Sequence, residues 1–170
     1  MAVNKNKALA AAQRFVQKGL LDRAIREYLS VVENEPEDVR TWLKIGDLYS
    51  RKGSISQAVS TFERVAGVYE SKGFFLKAVA VYKQILDVDP TLIDMHLRLG
   101  KVYVKLNLMQ EAIGQFQLVV GSLERDNRHK EGIELLRKMV ELVPGDEANH
   151  LRLAEAYARD CENEAAIGEF

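Results

Sequence analysis

The chain has 170 residues, 47% of them hydrophobic and 29% charged, with a formal net charge of −1. This composition suits a folded domain with its own core and excludes disorder, and the near-neutral balance excludes a general nucleic-acid surface, which needs a basic excess. The lone cysteine, Cys161, allows no internal disulfide; no run approaches the ~20 apolar residues of a membrane span, and MAVNKNKALAAAQRF lacks the apolar stretch and cleavage site of a signal peptide, so a cytoplasmic chain without membrane insertion is expected.

Apolar residues recur at helical spacing throughout, and strand alternation is absent. In chain order, the pattern predicts helices over 3–17, 21–34, 38–52, 55–71, 74–87, 92–106, 109–125, 129–142, 147–159 and 162–170. Gly19, Gly53 and Gly73 punctuate the short connections, as do the acidic-proline segments NEPED, DVDPT and LVPGD. Connections this short make neighbouring helices antiparallel. No linker divides the chain, so one array over 1–170 is expected, with units near 5–38, 39–92, 93–146 and 147–170.

The three prolines, Pro36, Pro90 and Pro144, are evenly spaced at 54 residues. Other positions follow the same shift: Trp42, His96 and His150; Leu43, Leu97 and Leu151; Gly46, Gly100 and Ala154; Tyr49, Tyr103 and Tyr157. Ala58, Ala112 and Ala166 continue the register, as do Phe62, Phe116 and Phe170. Repeats of this order are stacked supersecondary units.

The run from Trp42 through Gly46 to Tyr49, followed by Gly53, Ala58, Phe62 and Val65, resembles the tetratricopeptide repeat (TPR) pattern. Leu99, Gly100, Tyr103, Ala112 and Phe116 repeat it, and Phe15, Gly19, Ala24, Tyr28 and Pro36 match its second half. The resemblance implies an all-α, right-handed TPR-like helical solenoid of about ten antiparallel helices. It further implies a non-enzymatic scaffold or adaptor that binds a peptide or partner domain in a helical groove. Self-association and a secretion-type chaperone role are the alternatives. The unit departs from the ~34-residue TPR: 54 residues hold three helices, so which helix faces line a concave surface is open. Because repeat arrays usually end in a polar cap, and the register reaches Phe170 inside a second helix, a longer array or a covered C-terminal helix that self-associates is expected.

No metal-ligand spacing, phosphate loop or activated nucleophile is present, so neither an enzymatic site nor a cofactor is expected. Cys161 falls at an expected turn, and His96 and His150 occupy the signature tryptophan position, which points to packing. The surface signal is basic and periodic: Lys44, Arg98 and Arg152 share one register, and Arg51, Lys105 and Arg159 share another seven residues on, on the same helix face. Across 39–52, 93–106 and 147–160, nine basic residues stand against five acidic ones. The candidate partner-binding residues are Arg40, Lys44, Asp47, Arg51, Leu97, Arg98, Lys101, Lys105, Arg152 and Arg159. Their partner would be a protein or peptide, acidic where it meets the stripe. A solvated face copied by duplication would give the same pattern. The carboxylate clamp known in some TPR proteins is not expected, because Asp47, Lys101 and Glu155 stand where its asparagine would be.

Overall fold

The computed structural model describes residues 5–167, with side chains as far as Asp160. Among these the secondary structure is helical throughout: α1 (Lys5–Gln17), α2 (Leu21–Asn34), α3 (Val39–Arg51), α4 (Ile55–Ser71), α5 (Phe75–Val88), α6 (Ile93–Lys105), α7 (Met109–Arg125), α8 (His129–Leu142) and α9 (Glu147–Ile167). Contacts gather the chain into two compact units, residues 1–91 and 92–170.

From α2 to α8 each helix buries a stripe of residues at helical spacing. In α2 these are Ala24, Ile25, Tyr28, Val31 and Val32; all but Val31 share one core with Ala12 of α1 and Ile45 and Leu48 of α3. In the second unit Leu99 and Val102 of α6, Phe116 and Val120 of α7, and Leu136 and Met139 of α8 are likewise buried.

Two kinds of turn join the helices. After α1, α3, α4, α6 and α7 the chain passes through a residue with positive φ: Gly19, Gly53, Gly73, Asn107 and Asn127. The amide after each reaches back to the carbonyl five residues earlier, as Leu20 does to Phe15 at 2.9 Å and Arg128 to Leu123 at 2.9 Å. This is the Schellman closure, which satisfies helix-end carbonyls and favours glycine or asparagine at the left-handed position. The second kind carries the prolines. There Asp38 caps α3 by accepting from the Thr41 amide at 3.2 Å, and Asp146 accepts from the Asn149 amide at 3.3 Å. Trp42 Nε1 donates to the Pro36 carbonyl at 2.9 Å, and His150 Nε2 stands 3.0 Å from the Pro144 carbonyl. That carbonyl can only accept, so His150 carries its proton on Nε2. Trp42 and His150 thus hold the proline turn before their own helix, whereas His96, the third ring in this register, pairs through Nδ1 with Gln115 Oε1 at 2.8 Å.

One expected boundary is absent. The sequence predicts a turn at Cys161 between helices 147–159 and 162–170, but the backbone stays helical from Glu147 to Ile167, giving nine helices among the described residues rather than ten. Cys161 lies 34 residues after Asn127, as Gly53 follows Gly19 and Asn107 follows Gly73. A cysteine does not readily enter the left-handed conformation those residues adopt. Without a terminator the helix runs on. Residues 168–170, including Phe170, lie outside the described part.

Candidate functional site: two equivalent clefts

In the second unit α6 and α8 both pack on α7 and scarcely touch each other, which leaves a cleft of about 610 Å³ between them. Its floor is apolar: Leu97 and Val104 from α6, Phe116, Val119 and Leu123 from α7, and Leu135 and Leu142 from α8. Charged residues form the rims, with Asp94, Lys101 and Lys105 on α6 and Glu131, Glu134, Lys138 and Glu141 on α8, while Arg128 precedes α8. Arg128 donates to both carboxylate oxygens of Glu131, at 2.7 and 2.6 Å. These hydrogen bonds hold the Glu131 carboxyl below its ordinary pKa and push the Arg128 guanidinium up.

The first unit has a smaller cleft of about 440 Å³, formed by Asp47, Ser50 and Arg51 of α3, Phe62 of α4, and Gln84, Asp87 and Val88 of α5. Every one of these residues stands 54 positions before a residue that lines the larger cleft. The pocket is therefore made twice, from the same positions, with different chemistry. Asp47 is replaced by Lys101, Ser50 by Val104, and Gln84 by Lys138. Burial pushes the Asp47 carboxyl above its ordinary pKa, with Arg51 opposing that shift.

The sequence-derived candidates divide accordingly. Asp47 and Arg51 line the first cleft, and Leu97, Lys101 and Lys105 line the second. Arg40 and Arg98 are exposed and line neither. Lys44 sits over the Tyr28 ring, 5.5 Å from its centroid. Arg152 and Arg159 reach Glu124 of α7, at 3.3 and 3.7 Å. Thus the basic register is not one surface; part of it fastens helices to their neighbours. The α8 wall escaped the sequence reading, although Leu135 and Leu142 lie at helical spacing.

Among the described residues no group of three or more histidine, cysteine or acidic side chains is placed to hold a metal, and no helix is long and apolar enough to cross a membrane.

The helix pairs α3–α4 and α6–α7, with Gly46 facing Phe62 and Gly100 facing Phe116, belong to an all-α helical-repeat fold. Residues 9–70 match the tetratricopeptide repeat family. The chain is 25% identical over 139 residues to the DnaJ homolog subfamily C member 3 of Gallus gallus; the match takes in 79% of the chain but only 24% of that protein's length. Among solved structures it is similar to the MamA protein, with 17% identity, a TM-score of 0.46, and coverage of 100% of this chain and 97% of that one. It is also similar to a thermophilic TPR protein of Thermus thermophilus, with 17% identity, a TM-score of 0.34, and coverage of 91% and 99%. Proteins of this family generally serve as protein–protein interaction scaffolds and are typically non-enzymatic.

Proposed function

We propose that this chain is a cytoplasmic adaptor that holds a segment of another protein in the α6–α8 cleft. The observation that carries this reading is the continuous apolar floor from Leu97 to Leu135 between two charged rims. Apolar floors give affinity once water is displaced, and rims set orientation and encounter rate. The test is capture from the source cell lysate by the wild type and by Leu97→Glu/Lys101→Glu, with both proteins first shown to be equally folded by circular dichroism. A partner retained by the wild type and lost by the variant supports the cleft. An identical set of partners for both removes it.

One observation favours self-association as a second reading. On α9, Leu151 is 62% exposed and Tyr157 40%, whereas Tyr103, at the same register of α6, is 7% exposed beneath its neighbours. Of the face that α6 buries, Ala154 and Tyr157 are exposed on α9, while Asn149 is buried. A sedimentation mass that rises with protein concentration, and stays at the monomer value for Leu151→Glu, would favour this reading.

A further inference from the structure

The charges around the α6–α8 cleft are sorted along its length. Because α6 and α8 are each antiparallel to α7, they run in the same direction, and their N-terminal ends lie together. At that end stand Asp94, Glu131 and Glu134, with Arg128 already engaged by Glu131. Asp94 also acts on the Arg128 guanidinium, which places the α6 and α8 starts side by side. At the opposite end stand Lys101, Lys105 and Lys138, with Glu141 the one acid among the lining residues there. The cleft is neutral as a whole but acidic at one end and basic at the other, about 16 Å apart along α6 at helical rise.

We propose that this cleft is a polarised docking site for an amphipathic helix of a partner protein, running in the same direction as α6. Its apolar stripe lies on the floor of Leu97, Phe116 and Leu135. Its N-terminal half carries basic residues toward Asp94 and Glu134. Its C-terminal half carries acidic residues toward Lys101 and Lys138. Three features select a helix with this polarity. The cleft is bounded by two parallel helices, so a third fits lengthwise between them. The rim charges match the helix macrodipole, positive at its N-terminus and negative at its C-terminus. Finally, α7 forms the floor and runs antiparallel to the proposed ligand, which offsets part of the dipole repulsion from α6 and α8 and leaves the rim charges to set the direction.

The first unit shows that this polarity is not a by-product of the repeat. At the positions of Lys101 and Lys138 it has Asp47 and Gln84, so only Arg51, the counterpart of Lys105, is left at its basic end, with Asp47 beside it. The same scaffold has been given two surfaces, and only the second suits an acidic C-terminal half. This inference rests on the adaptor reading and specifies the chemistry and direction of what the cleft holds.

The probes are two fluorescein-labelled synthetic peptides the length of α6, with leucines at helical spacing and identical composition. One has lysines in its N-terminal half and glutamates in its C-terminal half; the other has the same charges alternating along its length. Binding to the whole chain is read by fluorescence anisotropy. The segregated peptide is expected to bind about tenfold tighter. Lys101→Asp/Lys138→Gln, which copies the first cleft, should erase that preference while both peptides still bind. A benzophenone at the N-terminus of the segregated peptide should crosslink near Glu131 rather than near Lys138. Equal affinity for the two peptides, or crosslinking at Lys138, overturns the polarity while leaving the adaptor reading standing. No binding by either peptide, with Leu97→Glu indistinguishable from wild type, removes the cleft itself. If the chain alone dimerises and Lys101→Asp/Lys138→Gln restores the monomer, the occupant is a second copy and the partner-helix proposal fails.

Discussion

The ring of Phe62 stands where a β-carbon on Gly46 would be. A methyl group built at Gly46 meets ring carbons at 2.5 and 2.8 Å, and Gly100 has the same relation to Phe116. The glycine lets α3 and α4, and likewise α6 and α7, approach closely, and the ring fills the space. Both rings also line the clefts, so the contact that sets helix spacing also shapes the candidate site.

Replacing Gly46 by alanine therefore works against helix propensity. In an open helical position that substitution gains about 1 kcal/mol. Here the ring is buried at 2% exposure and must move, so a net loss of about 1–3 kcal/mol is expected from overpacking. Gly67 of α4 serves as the control, since nothing lies within 4 Å of its added β-carbon; Gly67→Ala should stabilise by about 0.5–1 kcal/mol. Urea unfolding of both variants checks the pair. A stabilised Gly46→Ala would mean that the ring is free to shift.

How much of this was legible from residues alone depended on whether a feature is local. Gly46 and Phe62 could be paired by register because each repeat signature encodes contacts between sequential helices. The glycine turns were visible too, but Asn107 and Asn127 do the same work without looking like breakers, and Cys161 looked like a turn only through its register. The cleft was half legible. Leu97, Lys101 and Lys105 lie on one helix and show up as a periodic stripe. Glu134, Leu135 and Lys138 come from α8 and join them only through the packing of both helices on α7. The pairing of Arg152 with Glu124, and of Lys44 with the Tyr28 ring, depends on side-chain reach that periodicity does not report.

Asp38 and Asp47 should respond to acid in opposite ways. Asp38 caps α3: burial pushes its carboxyl up, but hydrogen bonds from Lys5 and Thr41 outweigh this and hold its pKa below the ordinary value. A depressed folded pKa contributes stability that is present above the unfolded value and is lost as pH falls through the folded one. Asp47 has its pKa raised, chiefly by burial, so its contribution is present below the unfolded value and is lost as pH rises through the folded one. Asp38→Ala should cost about 0.5–2 kcal/mol at neutral pH, and Asp38→Asn much less because asparagine also caps. Asp47→Asn should stabilise at neutral pH, with the gain fading toward pH 4. Thermal melts between pH 3 and pH 7 separate these slopes; parallel curves for the two variants would contradict the assignment.

The Arg152–Glu124 contact gives a sharper view of the basic register. At 3.3 Å, with both side chains about a third exposed, the pair should show a coupling of about 0.2–1 kcal/mol in a double-mutant cycle, shrinking as salt is added. Arg152→Ala should leave peptide binding in the α6–α8 cleft unchanged. Weakened binding without loss of stability would return Arg152 to the recognition surface.

The left-handed residues test why the chain turns where it does. Gly53 adopts a φ of 76° and Asn107 a φ of 60°, and their successors make the same closing hydrogen bond, Ser54 to Tyr49 and Leu108 to Tyr103, each at 2.9 Å. A β-carbon at Gly53 would meet nothing within 4 Å, so any cost of Gly53→Ala is conformational rather than steric crowding by neighbours. About 1–2 kcal/mol is expected for forcing alanine into that region, whereas Asn107→Gly should hold or improve stability because glycine reaches the same backbone angles freely. Gly53→Asn, which copies the second unit's solution, should recover part of the alanine loss. Equilibrium urea unfolding ranks the three. If alanine at position 53 proves as stable as glycine, the turn is held by the packing of α3 on α4, and the left-handed residue only accommodates it.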